Sequence, residues 1–404
     1  MPPNGKKQLL PPPDVVSNLP DSVIDEILMR LPLRDAVRTS ILSKKWRCNW
    51  CRLPQLTLDR TLWKTTDDLM SPTIGFTNIV HHFLTLHTGQ ISKFILDIHD
   101  LETCPKINNL ISFLSRNDIQ HLVVQLPFTS KPYKLHSSIF TCSQLRHLVL
   151  AHCLIRPPLL FKGFDRLISL ELIEVTISSE LVGSLISHCP LLEHLVLEQH
   201  KQDDVSGHIE ISAPKLRSFF FIGECDLTKI FESIPALENL CWNQDHVKDD
   251  YVGQAEVIPT RLPSALNCLK RLCLSWSILE EFSVLSFALC LIRSSPNLEE
   301  IEIEVCVLKD EIYYEVVRRD AVDEIPASFS NMTFNHLRTV KIYNVAGTKA
   351  EMQLIKVLLA KSPALVRMLI KPCRMEDRKS LKVVAEITNF PRASSKAQVV
   401  YNVD

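Results

Sequence analysis

The sequence predicts an α/β protein made of a short helical unit at the N-terminus and a long solenoid of stacked strand–helix repeats. Two observations lead to this fold class. One short apolar pattern returns eleven times along the chain, as expected when a single structural unit is repeated. Ahead of the repeats, residues 18–50 concentrate large apolar side chains at helical spacing, which is typical of packed helices.

The charge and glycine content exclude several classes of function. The 404 residues include 45 basic and 46 acidic side chains, which gives a net charge of −1. This balance does not favour nucleic acid or an acidic membrane surface as a partner. The nine glycines are widely spaced, the closest pair being Gly75 and Gly89, so there is no glycine-rich loop for phosphates or dinucleotides.

The sequence also lacks recognisable catalytic, metal-binding and membrane signatures. Nucleophile-elbow, H-E-x-x-H and kinase motifs are missing, and the pair Cys48 and Cys51 lacks the second pair that a zinc site needs. We therefore expect no enzymatic activity, no cofactor and no metal. The longest apolar run, residues 284–292, is far shorter than the roughly 20 residues of a membrane helix. We expect an intracellular protein, in the nucleus, the cytoplasm or both, with reduced cysteines.

Three short helices are predicted between residues 18 and 50. The first starts at Asp21 or Ser22, either of which can cap it. A second follows Pro32, and Trp46 and Trp50, four residues apart, place a third. So small a unit buries too little surface to be stable alone, so either the repeats or a partner protein must cover part of it. The helical pattern of the first two rests on Val23, Ile24, Ile27, Leu28, Leu31, Leu33, Ala36, Val37, Ser40 and Ile41.

The repeated pattern is apolar-x-x-apolar-x-apolar, whose last positions alternate as in a strand with one buried face. No unit can bury that face alone, so neighbouring units must stack. The spacing predicts a leucine-rich repeat solenoid, with parallel strands on the concave face and helices and loops on the convex face. The units are Ile91/Phe94/Leu96, Ile119/Leu122/Val124, Leu145/Leu148/Leu150, Leu167/Leu170/Leu172, Leu192/Leu195/Leu197, Leu216/Phe219/Phe221, Leu237/Leu240/Trp242, Leu269/Leu272/Leu274, Leu298/Ile301/Ile303, Leu337/Val340/Ile342 and Leu365/Met368/Ile370.

Proline marks the ends of the convex-side helices. It lacks the N–H that a helix needs and stops the helix just before the next strand, as in HCPLLEHL, SSPNLEEI and KSPALVRM. Two intervals, residues 243–262 and 307–331, are long, charged insertions. They are interpreted either as plain solvated loops or as parts of a binding face.

Two segments resemble regions of one known family. Residues 334–370 are similar to the FBD region that ends many plant F-box/leucine-rich-repeat proteins, with a capping box at residues 348–351 and a buried helix face formed by Leu354, Ile355, Leu358 and Leu359. Residues 18–50 closely resemble the F-box of plant F-box proteins. That resemblance rests on Leu19-Pro20, Ile24, Ile27-Leu28, Leu31-Pro32, Ala36-Val37, Ser40, Leu42-Ser43-Lys44-Lys45-Trp46 and Trp50.

The F-box resemblance implies both a partner and a function. In that family the F-box docks to a Skp-family adaptor, and through it to the cullin and RING subunits of an SCF ubiquitin ligase. The repeats then bind a protein substrate, so the chain is expected to be a non-catalytic, substrate-recruiting subunit. The alternative is that several of the matching residues only hold the helices together. Carried over by position, the candidate adaptor-binding residues are Leu19, Pro20, Ile24, Leu28, Leu31, Pro32, Val37, Ser43, Trp46 and Trp50.

Other interpretations stay open at this point. The chain could be an adaptor-bound scaffold or a small-molecule receptor that acts without ubiquitin transfer. Residues 18–50 could also be a cap of the solenoid, since repeat arrays need capping units. The expected domains are a disordered tail (1–13), an F-box (14–55), a linker helix region (56–90), a leucine-rich repeat solenoid (91–330) and an FBD-like region that continues the solenoid (331–404).

Overall fold

In a computed structural model, the chain forms two compact units, residues 1–153 and 154–404. Each unit is described by itself. Within the described part, no helix is long and apolar enough to cross a membrane. The structure describes residues 19–63, 72–103, 105–198, 209, 211–223, 230–243, 261–277, 282–305 and 332–402. The tail at residues 1–13 and nearly all of both predicted insertions lie outside these ranges.

The first unit begins with helices and continues as a parallel sheet. Strands β1, β2, β3 and β5 pair in parallel in that order. Single 3-10 turns cover Thr39–Ile41, Asn49–Arg52 and Ser137–Thr141. The elements are α1 (Asp21–Met29), α2 (Leu33–Arg38), β1 (Gln55–Leu58), α3 (Pro72–Leu86), β2 (Lys93–Asp97), α4 (Asn108–Leu114), β3 (His121–Gln125), β4 (Tyr133–Lys134) and β5 (His147–Ala151).

The second unit repeats strands and helices to the C-terminus. Strands β7 to β15 pair in parallel, each with the next in the chain. The short β6 (Cys153–Leu154) precedes them, and a 3-10 turn covers Phe231–Ser233. The elements are β7 (Ser169–Ile173), α5 (Ser179–Ser187), β8 (His194–Glu198), β9 (Ser218–Ile222), β10 (Asn239–Asn243), β11 (Arg271–Ser277), α6 (Phe282–Ser294), β12 (Glu300–Val305), β13 (Thr339–Val345), α7 (Lys349–Lys361), β14 (Arg367–Pro372), α8 (Asp377–Thr388) and β15 (Gln398–Tyr401).

The strand register confirms the predicted leucine-rich repeat fold. In each of the eleven predicted units the second and third apolar positions lie on a parallel strand, and equivalent apolar positions face each other, as Phe94, Leu122 and Leu148 do. All three apolar positions of each unit are buried. The core is therefore a set of stacked inward-facing side chains, each contributed by one repeat.

The repeated apolar pattern in the sequence did not identify two of the strands, β1 and β15. Leu53, Leu56 and Leu58 fit the same apolar pattern, and the last two lie in β1. The region assigned to a linker at residues 56–90 therefore already contains most of the first strand. Strand β15 was hidden because a lysine, Lys396, stands at the position where other units carry an apolar residue. An end strand has a neighbouring strand on one side, so it can lose one apolar position at lower cost.

The helices end where the prolines predict. Helix α5 ends two residues before Cys189-Pro190, α6 ends before Ser295-Pro296, and α7 ends before Ser362-Pro363. In each case the next strand starts within a few residues. Because proline cannot continue the helical hydrogen bonds, it sets the point at which the chain turns back to the sheet.

The predicted capping box of α7 is confirmed in detail. The Thr348 hydroxyl accepts the N–H of Glu351 at 3.4 Å, and the Glu351 carboxylate accepts the N–H of Thr348 at 2.8 Å. Glu351 is buried and also accepts the N–H of Ala346. These bonds satisfy N–H groups that the first turn of a helix leaves without intrahelical partners.

Replacing Thr348 by alanine should lower the unfolding free energy by about 1 kcal/mol, the usual cost of losing a capping hydroxyl. The Thr348→Ser variant keeps the acceptor and should unfold like wild type. Urea denaturation of the full chain measures both. Equal stability of the alanine variant and wild type would contradict a stabilising role for this cap.

Candidate functional site

The two Leu-Pro pairs of the F-box are helix starts. The Pro20 carbonyl accepts the N–H groups of Val23 and Ile24 at 3.0 and 3.1 Å, and the Pro32 carbonyl accepts those of Asp35 and Ala36 at 2.9 and 3.0 Å. Proline fixes the backbone angle that leads into a helix. The predicted side-chain cap by Asp21 or Ser22 is not present, since Pro20 occupies the capping position and no side chain bonds there.

The third predicted helix is a series of single turns. The N–H of Trp46 bonds to the Ser43 carbonyl, and that of Asn49 bonds to the Trp46 carbonyl. These bonds span three residues, as in a 3-10 helix, and such runs stay short because their geometry is poorer. Trp46 therefore lies in a turn, and Trp50 lies in the 3-10 turn Asn49–Arg52.

One side of the F-box helices is buried by the protein itself. Ile24 and Leu28 of α1 and Ala36 of α2 have no exposed surface. Trp46 and Trp50 are buried with them. Helix α1 contacts the turn Asn49–Arg52, and α2 contacts both α1 and strand β1. The repeat array thus covers part of the apolar surface of this small unit.

The other side of the helices carries apolar side chains in water. Val23, Ile27 and Leu31 follow each other at four-residue spacing and are each 37–41% exposed. On α2 and the turn after it, Val37 and Ile41 repeat that spacing, at 37% and 87%. Residues four apart share one helix face. We call these five residues, together with Leu42 at 59%, the exposed F-box surface.

The structure divides the ten candidate adaptor-binding residues into two groups. Ile24, Leu28, Trp46 and Trp50 are buried, so they pack within the unit. The other six lie at the surface: Pro20, Leu31, Pro32 and Val37 are exposed, and Leu19 and Ser43 are half-buried. Direct contact with an adaptor stays a prediction for all ten, and exposure favours these six.

Several exposed apolar residues were not among the candidates. Val23, Ile27, Met29, Ile41 and Leu42 are all exposed by more than a third of their surface. For Val23, Ile27 and Ile41, the helical spacing in the sequence already indicated membership of an apolar helix face. The apolar stripe of α1 is two residues wide, with Val23 and Ile27 beside Ile24 and Leu28, and Ile41 extends the α2 stripe. A stripe wider than its buried contact leaves one edge in water.

Ion pairs tie the start of α1 to the turns that follow α2. Arg52 lies 3.3 Å from Asp25 and 3.8 Å from Asp21, and Lys45 lies 3.8 Å from Asp21. Lys45 also donates to the Leu19 carbonyl at 2.5 Å. Exposed pairs of this kind each contribute little to stability, so they orient the segments while the buried apolar side chains hold them together.

Backbone and histidine contacts join the F-box to the first repeat. The Cys51 carbonyl accepts the N–H groups of Thr88 and Gly89 at 2.9 and 3.1 Å. The buried His87 ring places Nε2 3.2 Å from the Leu53 carbonyl, and burial lowers the pKa of His87 below its ordinary value. A neutral ring donating from Nε2 fits this position, and it connects the end of α3 to the strand that follows the F-box.

Gly89→Ala should disturb this junction, because an added Cβ would lie 2.6 Å from the Arg52 Cα and carbonyl oxygen. We expect a loss of about 2 kcal/mol in unfolding free energy, as for other overpacked sites. Gly75→Ala is the matched control, since its Cβ would meet only Trp63 at 3.4 Å or beyond. It lies inside α3, so alanine should stabilise by about 0.5–1 kcal/mol. Thermal melting of both variants compares the two effects. Similar melting temperatures for the two variants would contradict the close contact at Gly89.

The second unit presents a mixed surface on the half-exposed face of its strands. Val196, Phe220, Cys241, Cys273 and Glu302 stand in register on five neighbouring strands. We call this line of residues the central row. It passes from apolar to charged side chains, because β12 carries glutamates at all three positions of this face.

The charged end of this face is internally paired. Lys341 lies 2.7 Å from Glu300 and 3.2 Å from Glu302, and Arg271 lies 3.5 Å from Glu300. Hydrogen bonding to Glu300 and then to Glu302 raises the pKa of Lys341, so it stays charged at neutral pH.

Comparison with known protein families agrees with this architecture. A model described as "F-box domain" matches residues 16–56. A second model, "FBD-associated F-box protein At5g56370, LRR repeats", matches residues 107–263. An F-box domain in general binds a Skp-type adaptor, and F-box/LRR proteins are in general non-catalytic adaptors.

Several curated relatives from Arabidopsis thaliana match the chain. "F-box/FBD/LRR-repeat protein At1g13570" is 30% identical over 430 residues, covering 97% of this chain and 99% of the relative. "Probable FBD-associated F-box protein At1g32375" is 23% identical over 96% of this chain and 100% of its own length. "F-box/LRR-repeat protein 13" is 30% identical over 53% of this chain and 47% of its own length. With the F-box helices, the stacked repeats and a full-length relative in agreement, this chain belongs to the F-box/FBD/LRR-repeat family.

Proposed function

We propose that this chain is a substrate-recruiting subunit of an SCF-type ubiquitin ligase. The exposed F-box surface docks to a Skp-family adaptor, which links the chain to cullin and RING subunits. The repeats bind the protein to be ubiquitinated. The chain itself forms and breaks no bonds. It raises the effective concentration of a substrate near the ubiquitin-conjugating enzyme, to about millimolar for a flexible tether.

The observation that carries this proposal is the division of the F-box into a buried side and an exposed apolar side. Seven large apolar residues of one short segment, the six of the exposed F-box surface and Met29, remain in water, although the turn Asn49–Arg52 packs against α1 and strand β1 packs against α2. Exposed apolar side chains clustered in this way favour a protein–protein interface. The same surface argues against residues 18–50 being only a cap of the solenoid, because a cap should present a polar outer face.

The substrate side of the proposal rests on the half-exposed strand face. Its central row offers Val196 and Phe220 for apolar contact, with Glu302 at the other end. Aromatic residues in a partly buried setting are frequent anchors of interfaces. A substrate segment with an apolar side chain followed by a basic one fits this order.

A pull-down from plant extract with the full-length chain tests the proposal. Recovery of a Skp-family adaptor together with cullin supports the ligase role, and loss of a co-purifying protein when the chain is overexpressed supports substrate turnover. Recovery of the adaptor without cullin would favour the scaffold alternative. Stabilisation of the repeats by a small molecule would favour the receptor alternative. Recovery of no adaptor would overturn the docking role.

Imaging of a tagged chain tests the proposed residence in the nucleus, the cytoplasm or both. A signal confined to membranes or outside the cell would contradict it.

A further inference from the structure

Two cysteines meet at the centre of the half-exposed strand face. Cys241 on β10 and Cys273 on β11 are partners in the strand register, and both are half-buried free thiols. Neighbouring strands are about 4.8 Å apart, which lies inside the Cα separation that a disulfide requires. Both side chains point to the same face, because their strand neighbours Leu240, Trp242, Leu272 and Leu274 are the buried ones.

The surroundings favour one thiolate in this pair. The Cys241 thiol hydrogen-bonds to Cys273, which is the main reason that the pKa of Cys273 falls to about 7, against the opposing effect of burial. The Ser275 hydroxyl, 3.6 Å from the Cys273 sulfur, adds to the lowering. Glu302 and Glu304 on the next strand oppose it. The pKa of Cys241 is raised, first because of the same hydrogen bond and second because of burial.

We propose that Cys241 and Cys273 form an oxidation-sensitive dithiol that reacts with hydroperoxides and closes reversibly to a disulfide. The proposal concerns the chain's own thiols and does not depend on the proposed ligase role. It requires a nucleophilic thiol and a resolving thiol within reach. The register of β10 and β11 places the two thiols side by side on one face, and the lowered pKa of Cys273 favours it as the nucleophile.

The reaction balances with the hydroperoxide as the oxidant. The Cys273 thiolate attacks the terminal peroxide oxygen, the O–O bond breaks, and a sulfenic acid forms while the leaving oxygen takes up a proton. The Cys241 sulfur then attacks the Cys273 sulfur, forming the S–S bond and releasing water. In sum, two thiols and one hydrogen peroxide give one disulfide and two waters.

Among the other described cysteines, Cys51 lies against Cys48, but burial and then this neighbour raise the pKa of Cys51. Burial raises the pKa of Cys142 and of Cys189 to about 11, which keeps them protonated and unreactive. Cys268 is exposed and close in sequence to Cys273, which makes it a suitable internal control. Closing the dithiol would remove a thiolate from the central row between Phe220 and Glu302, so its redox state would change the chemistry of this surface.

The test exposes the reduced full-length chain to a modest excess of hydrogen peroxide, then blocks remaining thiols and maps peptides by mass spectrometry. Trypsin cuts after Lys270 and Arg271 and so separates Cys268 from Cys273. We expect one dominant disulfide-linked pair that joins Cys241 to Cys273 and disappears on reduction. At pH 7 iodoacetamide should alkylate Cys273, because the lowered pKa of its thiol favours the reactive thiolate.

Two variants keep the test decisive. Cys241→Ser retains a hydrogen-bond donor but cannot close the disulfide, so Cys273 should accumulate as a sulfenic acid that dimedone labels. Cys268→Ser should leave the linkage unchanged. The proposal fails if peroxide that oxidises Cys268 yields no linkage between Cys241 and Cys273. It also fails if dimedone labels Cys273 equally in wild type and in the Cys241→Ser variant.

Discussion

We expect the Val37→Asp, Ile41→Asp double variant to bind a Skp-family adaptor about 100-fold more weakly than wild type, while unfolding at the same temperature. Both side chains are exposed, and Ile41, at 87%, is the most exposed large apolar residue in the described part of the F-box. Placing carboxylates in an apolar interface leaves buried, unpaired charges, and central apolar contacts often cost about 2 kcal/mol or more when lost. Isothermal titration of purified adaptor into each chain measures the affinity.

The matched control for this variant is Leu159→Asp in the second unit. Leu159 is fully exposed, so the substitution has the same chemistry at a site distant in sequence from the F-box. It should bind the adaptor like wild type. Wild-type affinity in the double F-box variant would show that the exposed F-box surface is not the docking site. A lower melting temperature in that variant would point instead to an unrecognised packing role.

We expect Trp46→Ala to lower the unfolding free energy by about 3–5 kcal/mol, the usual cost of removing a large buried aromatic. Trp46 is only 2% exposed, which is the reason for assigning it to packing although its position matches the F-box motif. Adaptor binding should weaken only to the extent that the F-box unfolds. Urea denaturation followed by far-UV circular dichroism gives the stability.

Trp46→Phe separates packing from direct contact. Within the described part, the Trp46 indole N–H has no hydrogen-bond acceptor, so phenylalanine keeps most of the packing and should cost about 1 kcal/mol. Its adaptor affinity should equal that of wild type. A large loss of affinity with little loss of stability would restore Trp46 as a contact residue.

These two predictions explain why motif positions alone do not define an interface. The same short motif contains residues that build the unit, such as Ile24 and Leu28, and residues that face water, such as Leu31 and Val37. A sequence motif therefore includes residues needed for packing and residues available for contact, without distinguishing them. Only burial distinguishes them, because a residue with no exposed surface cannot touch a partner without local unfolding.

The leucine-rich repeat fold and the family were determined by the sequence itself. Repetition makes this possible, because the same local pattern recurs in each unit and stacking buries the apolar face of every unit in the same way. The helix ends could also be predicted from the sequence, because proline and the Thr348–Glu351 capping box affect only the few residues next to them. The end strands β1 and β15 were harder to find, since one was assigned to a linker and the other lacks an apolar position.

The tertiary structure alone decided which apolar residues of the F-box are buried. Val23 and Ile24 are adjacent and equally apolar, yet one is 41% exposed and the other fully buried. That outcome depends on how α1 packs against the turn at residues 49–52. Cys241 and Cys273 differ from this case: they are 32 positions apart and hold the same place in two consecutive repeats, so the stacking of the repeats already predicts that they are neighbours, as the strand register shows. Contacts outside the repeats, such as those among the F-box helices, follow from three-dimensional packing, which no local spacing rule encodes.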